Sequence, residues 1–459
     1  MAPPIPLPLA NSSLPFLQQA LNSGKTTARV LVEHYLDGIL DPDREGARAY
    51  LRLYEDRARH TADQVDTARK HGFSLPPFAG IPLSIKDLFD IQGEVTRAGS
   101  RVLDDHLPAA QDASSVRRLR QAGFIILGKT NMTEFAFSGL GINDHFDTPR
   151  NPYDREQGRI PGGSSSGGAV SVADDLAAAA IGTDTGGSCR IPAAFCGVVG
   201  FKPTARRVPS QGFIPLSTTL DSIGPLANHV SSCAILDDVL AGGEGQDVTP
   251  FPLDGLRLGL VTNYVAGDLD EGVAAAFERA LQMLSRHGVQ IMPIALSDLD
   301  DLPALNREGG IVGAEAFAWH QPLLESRAEF YDPWVKGRIE FSRAQSAADY
   351  INLLAARRAV IKRFELQTRH LDACILPTVP IIPPLLADMA EPARSRAVNG
   401  QVLRNPSIVN FLDGTAISLP CHRAGEAPVG LMLMARGGQD RKLLSIAESV
   451  ESALRAALA

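Results

Sequence analysis

Apolar and polar positions alternate through Ile81, Leu83 and Ile85, the period-two pattern of a strand, and that strand carries Lys86 at its end. Before the Pro76-Pro77 break, Leu14 to Arg69 reads mostly as helix. Leu31, Tyr35 and Leu36 form one helical stretch, and an Ala- and Arg-rich run follows from Arg44 through Lys70. Ser114 to Ala122 reads as a helix, Phe124-Ile125-Ile126-Leu127 as a buried strand, and Met132 to Ser138 as another short helix. Gly167 to Ala180 has a helical composition, with Asp174-Asp175 at its exposed face or end, and Ile181 leads into a glycine-rich turn. Apolar runs that alternate with helical stretches predict an α/β architecture with a substantial sheet.

Asp237 to Pro252 is polar and rich in Gly and Pro, the composition of a connection between two halves. Beyond it, Leu256 to Val261 reads as a strand and Glu271 to His287 as an amphipathic helix. Phe317 to Trp334 holds both tryptophans beside Phe330 and Tyr331, an aromatic cluster that reads as helix-packing core with at least one member at a substrate entrance. The second half closes with Ile375 to Pro380 and Val429 to Leu433. There is no internal repeat, and the halves are expected to share one sheet.

Composition narrows the function. The 459 residues are 44% hydrophobic and 21% charged, an ordinary globular profile, and the net charge of −8 disfavours a polyanion-binding surface. Five cysteines without a C-x-x-C or zinc spacing predict a reduced, cytoplasmic protein, and ten scattered histidines without H-E-x-x-H indicate no metal site. The proline-rich start, Met1 to Ala10, lacks a basic region and reads as an extended arm; no apolar stretch reaches the ~18 residues of a membrane span.

Chemistry concentrates in three segments: Ile81 to Asp87, the run Gly162-Gly163-Ser164-Ser165-Ser166-Gly167-Gly168, and Gly182 to Arg190. A serine that attacks a carbonyl needs a base, a proton relay and N–H donors for the oxyanion. Thr185-Gly186-Gly187-Ser188 is a turn whose glycines let several N–H groups converge beside a hydroxyl, making Ser188 the candidate nucleophile. Ser164, rather than Ser165 or Ser166, is the candidate relay. Lys86, the only lysine in the apolar stretch Ala79 to Leu88, is the candidate base and must be desolvated to act neutral. The alternative for Lys86 is a surface lysine paired with Asp87 or Asp90. His145, His229 and His422 offer a weaker Ser-His-Asp arrangement. Gly123 to Thr130 matches the pattern of a phosphate-binding loop, but its bulky apolar interior reads as sheet core, with Lys129 structural.

Together, in this order and with the two serines 24 positions apart, these segments resemble the amidase signature family of serine hydrolases. The resemblance extends through Gly128 to Phe135, Arg150-Asn151-Pro152, Gly200 to Thr204 and Asp221 to Pro225. It implies a single three-layer α/β/α domain over 1–459, built around a large mixed, twisted β-sheet. Within it are a Pro-rich arm over 1–12, N-terminal helices over 13–70, the signature core over 71–236, and a second half over 253–459 that completes sheet and pocket. It further implies a triad of Ser188 as nucleophile, Ser164 as the bridging serine with a cis peptide bond, and Lys86 as base. The backbone N–H groups of Thr185, Gly186, Gly187 and Ser188 would form the oxyanion hole. The implied activity is hydrolysis of linear carboxylic amides, with esters and carbamates (urethanes) as further substrates; the aromatic cluster and the lack of a charged cluster near the triad motifs point to neutral aryl or alkyl amides, with Arg190 and Arg206-Arg207 leaving a carboxylate open. No cofactor, metal, nucleic-acid or membrane partner is implied, and the expected state is a monomer or homodimer. The alternative is the glutaminase (A-type) subunit of a tRNA-dependent amidotransferase, which delivers ammonia to a partner. Cys189, Asp174-Asp175 and Ala205-Arg206-Arg207 depart from the commonest pattern without touching the triad.

Overall fold

The computed structural model describes residues 9–265 and 267–458; the arm expected over 1–12 falls outside them across 1–8. Eleven strands form one mixed sheet: β1 (Tyr50–Leu53), β2 (Pro82–Lys86), β3 (Ile125–Thr130), β4 (Ala179–Asp184), β5 (Val199–Lys202), β6 (Ser222–Ala227), β7 (Arg257–Val261), β8 (Gln290–Ile294), β9 (Ala373–Pro377), β10 (Thr415–Pro420) and β11 (Gly430–Ala435). Their spatial order is β1-β3-β2-β4-β6-β5-β10-β11-β9-β7-β8, so strands from both halves of the chain meet where β5 pairs with β10, Phe201 opposite Ile417. The neighbours β3, β2 and β4 run parallel, as do β8, β7 and β9, and the strands between them pair antiparallel.

The sheet lies between two apolar layers, because successive side chains leave opposite faces of a strand. On β11, Leu431, Leu433 and Ala435 enter one core while Met432 and Met434 enter the other. The first core is closed by helices such as Val230–Ala241 and Asp440–Leu458, the second by Ala347–Thr368 and Pro392–Phe411. This is an α/β fold with helices on both faces of a large mixed sheet. Among the described residues, no helix is long and apolar enough to cross a membrane.

Several local expectations change, and of the short helix expected over Met132 to Ser138 only the 3-10 turn Glu134–Ala136 forms, with Phe135 at φ 49° inside it. The run from Arg44 through Lys70 is interrupted by β1: Tyr50 is buried, donates its hydroxyl to the Leu176 carbonyl (3.0 Å) and pairs with Thr130 of β3. Sheet pairing there overrides a helix-favouring composition. The helix expected over Gly167 to Ala180 is Ser166–Ala173, ended by Asp175 at φ 55° and by the Leu176 N–H, which returns to the Ser171 carbonyl. Ala179 already belongs to β4. The segment with the phosphate-loop pattern is extended strand through Lys129, whose buried ammonium lies 3.6 Å from Asp87.

Candidate active site

The alternation that predicted β2 also aims its polar side chains. Leu83 and Ile85 enter the first core, while Ser84 and Lys86 face the helix Ser166–Ala173 and the serine run ahead of it. Lys86 Nζ donates to Ser164 Oγ at 2.7 Å and to Thr183 Oγ1 of β4 at 2.9 Å. It is fully buried and makes no ion pair among the described residues, since Asp87 faces Lys129 and Asp90 accepts from Thr96. Burial therefore lowers its pKa to about 8, against an opposing pull from the acids Cys189, Asp221 and Asp184.

The serine run reaches the lysine through close backbone approach. The Gly163–Ser164 peptide is cis, Gly163 N–H donates to Gly139, and the Ser164 carbonyl accepts from Thr133 N–H. A Cβ on Gly182 would sit 2.6 Å from Ser165 Oγ, so β4 needs glycine where this run crosses it. Of the three serines, only Ser164 meets Lys86: Ser165 Oγ donates to the Thr183 carbonyl and Ser166 Oγ to that of Asn131.

Ser188 follows at the end of the turn after β4. The Ser165 N–H donates to the Ser188 carbonyl (3.3 Å), while no side-chain hydrogen bond joins Ser188 to Ser164 among the described residues. The structure thus joins Lys86 and Ser164 directly and links Ser188 to the run through main chain. Asp184 is the hub of the turn, a role that sequence reading missed. Its carboxylate accepts from Gly187 N–H (2.9 Å), Cys189 N–H (3.1 Å), Arg190 (2.8 Å) and Asn410 Nδ2 (3.0 Å). Burial pushes this acid upward, but the Arg190 charge outweighs it and holds the pKa at about 2. Gly187 is consequently removed from the expected oxyanion donors, because its N–H is already bound to Asp184. The N–H groups of Thr185, Gly186 and Ser188 have no protein acceptor among the described residues. Thr185 is fixed through its hydroxyl, which donates to Asp221 at 2.5 Å; burial raises the Asp221 pKa to about 7.

Ser188, Thr185 and Gly186 open into a cavity of about 460 Å³. Its walls are mainly apolar: Phe137, Leu216, Tyr264, Val312, Phe341, Leu403 and Phe411 among them. None of the clustered aromatics Phe317, Trp319, Phe330, Tyr331 and Trp334 lines it. Phe135 packs against Trp319 and Tyr331 as core, Phe330 lies on the surface, and Trp334 borders an adjacent recess. One charged side chain does reach the cavity: Arg338, from the helix Pro333–Phe341, stacked 4.8 Å from the centre of the Phe137 ring. Nothing in its sequence surroundings marked it.

The remaining sequence candidates are engaged away from the cavity. His145 contacts Glu134, His229 contacts the Asn11 carbonyl, and His422 accepts from Val429 N–H; none lines the cavity. Arg190 is fully buried on Asp184, and Arg206 and Arg207 pair with Asp413 and Asp237.

A protein-family model described as Amidase matches residues 31–444. The chain is 37% identical over 406 residues to 2-amino-5-chloromuconic acid deaminase of Comamonas testosteroni, covering 86% of each protein. It is 32% identical over 473 residues to the A-type subunit of glutamyl-tRNA(Gln) amidotransferase from Koribacter versatilis (strain Ellin345), covering 95% of this chain and 97% of that one. A crystal structure of an amidase superposes with a TM-score of 0.87 at 32% identity, covering 98% of this chain and 100% of the other.

Proposed function

The chain belongs to the amidase family, and we propose that it cleaves linear carboxylic amides through an acyl-enzyme on Ser188. The observation that carries this reading is a fully buried lysine hydrogen-bonded to Ser164 beside a cavity that Ser188 lines. Ser188 Oγ attacks the amide carbon while its proton passes to Ser164 Oγ and the Ser164 proton to Lys86 Nζ. The resulting oxyanion takes hydrogen bonds from the N–H groups of Thr185, Gly186 and Ser188. Collapse breaks the C–N bond, the leaving nitrogen takes the proton back through Ser164, and water then hydrolyses the ester by the same relay. The same acyl-enzyme chemistry admits esters and carbamates. The mainly apolar walls suit an aryl or alkyl acyl group. Five buried, free cysteines support a cytoplasmic setting.

A fluorophosphonate should add once, to Ser188, as read by intact mass and peptide mapping. Ser188→Ala should lose both the adduct and turnover. Lys86→Ala and Ser164→Ala should each lose several powers of ten in rate, with losses that do not multiply in the double variant. Full activity in Ser188→Ala would remove the proposal.

A second reading, the glutaminase component of a tRNA-dependent amidotransferase, is favoured by the 95% coverage of this chain in the match to such a protein. Efficient glutamine turnover without anilide hydrolysis, together with co-purifying subunits, would favour it over a stand-alone hydrolase.

A further inference from the structure

Among the described residues lining the cavity of Ser188, Arg338 is the one charged side chain. Its Nε is shielded from solvent yet has no hydrogen-bond partner, and its guanidinium forms no ion pair among the described residues. The ring of Phe137 beneath it supplies a cation–π contact but accepts none of its N–H groups in-plane. Burial unrelieved by any acid lowers its pKa to about 10, and it stays charged at neutral pH. Arg190 gives the contrast. It is more deeply buried, but Asp184, Asn410 and the Pro406 carbonyl satisfy it.

An arginine kept unpaired on the wall of a substrate cavity has donors to offer to what enters. Its planar fork matches a carboxylate with two parallel hydrogen bonds. The remaining walls are mainly apolar and suit a hydrocarbon spacer. Among the described residues no Asp or Glu lines the cavity, so an ammonium on the ligand would find no counter-charge there. Asp221 and Asp184 behind the turn are engaged by Thr185, Arg190 and Asn410, and the acids Glu134, Asp144, Asp147 and Asp332 border the adjacent recess instead.

Resting on the acyl-enzyme reading above, we propose that the substrate's acyl chain ends in a carboxylate bound by Arg338, and that it carries no free ammonium. The substrate class is then the monoamides of dicarboxylic acids, with an apolar spacer between amide and acid. Arg338 sets specificity and takes no part in proton transfer. This replaces the expectation of neutral amides, which rested on the aromatic cluster and on the lack of a charged cluster near the triad motifs; Arg338 arrives from a distant helix.

Calorimetry on Ser188→Ala, which holds ligand without turning it over, tests the proposal. A series of straight-chain dicarboxylic acid monoamides is compared with the neutral alkanamides of matching length. The best monoamide should bind at least ~30-fold more tightly than its neutral partner, the scale lost when one member of a buried, hydrogen-bonded charge pair is removed. Adding Arg338→Gln should bring the two within about threefold, Arg338→Lys should restore part of the preference, and glutamine should bind more weakly than the monoamide lacking its ammonium. Melting curves of each variant confirm folding. An unchanged preference in Arg338→Gln, or no preference to begin with, would overturn the assignment. Fluorophosphonate labelling of the wild-type protein separates the two readings. Labelled Ser188 with no carboxylate preference removes the Arg338 proposal alone, whereas carboxylate preference with unlabelled Ser188 removes the acyl-enzyme and leaves the binding site standing.

Discussion

Lys86 is fully buried on two hydroxyls that can take up its proton traffic, whereas Lys202, buried as deeply, donates to two carbonyls as a structural lysine does. With Lys86 as base, only its neutral form works, so kcat/KM for an uncharged amide should fall tenfold per pH unit below about pH 8 and level off above it. A pH-rate profile in which the acid limb is missing would count against the relay. Stability runs the same way. The folded pKa of about 8 lies below the ordinary lysine value of 10.5, so the native state holds fewer protons across that interval and gains stability as pH rises through it. Below about pH 8 the protonated lysine is a standing cost of about 3 kcal/mol, at ~1.4 kcal/mol per unit. Lys86→Met should therefore abolish turnover yet raise the melting temperature at neutral pH. A lowered melting temperature would mark Lys86 as a structural residue. Lys86 was legible in the sequence as the candidate base because it ends an apolar alternation; its freedom from Asp87 was not, because Lys129, which faces that acid, comes from another strand.

The turn from Asp184 to Arg190 is held as a unit by the helix Pro392–Phe411. Asn410 donates to the Asp184 carbonyl and carboxylate, and Arg190 donates to the Pro406 carbonyl and Asn410 Oδ1. Gly187 at φ 132° has room for no side chain, since a Cβ would lie 2.7 Å from both Ile191 and Pro406. Asp184→Asn leaves the Arg190 charge buried without its acid, a loss of about 3–5 kcal/mol. Denaturant unfolding should show that loss, with slower fluorophosphonate labelling at Ser188; near-wild-type stability would mean the pair is dispensable. The glycines of this turn pointed to a nest of N–H donors. That one donor is taken by Asp184 did not follow, because Asp184 gave no signal apart from the turn it precedes. The misread elements have equally local causes. β1 is short and exists through its pairing with β3, and the helix Ser166–Ala173 stops at a left-handed aspartate where glycine is the usual marker.

At the scale of the whole molecule, the strands around the triad were readable and the cavity was not. The signature segments carry their chemistry on contiguous chain, whereas Arg338 and Phe341 reach the cavity from the helix Pro333–Phe341, and Leu403 and Phe411 from the helix Pro392–Phe411. No member of the aromatic cluster stands at the cavity, because composition records size and not direction: Trp319 and Tyr331 pack on Phe135, Phe330 lies on the surface and Trp334 borders the adjacent recess. The join between β5 and β10 unites segments more than 200 positions apart in the chain. The clamp from Asn410 onto Asp184 spans a comparable separation, 226 positions. It also bears on the order of events at the ribosome. A nascent chain carries Lys86, Ser164 and Ser188 long before the helix Pro392–Phe411 has been made, so the proposed nucleophile is expected to stay unarmed until that helix clamps the turn. A fragment ending ahead of Pro392 should leave Ser188 unreactive toward a sulfonyl fluoride that labels the whole chain, and labelling at the full rate would show that the turn needs no late-arriving partner.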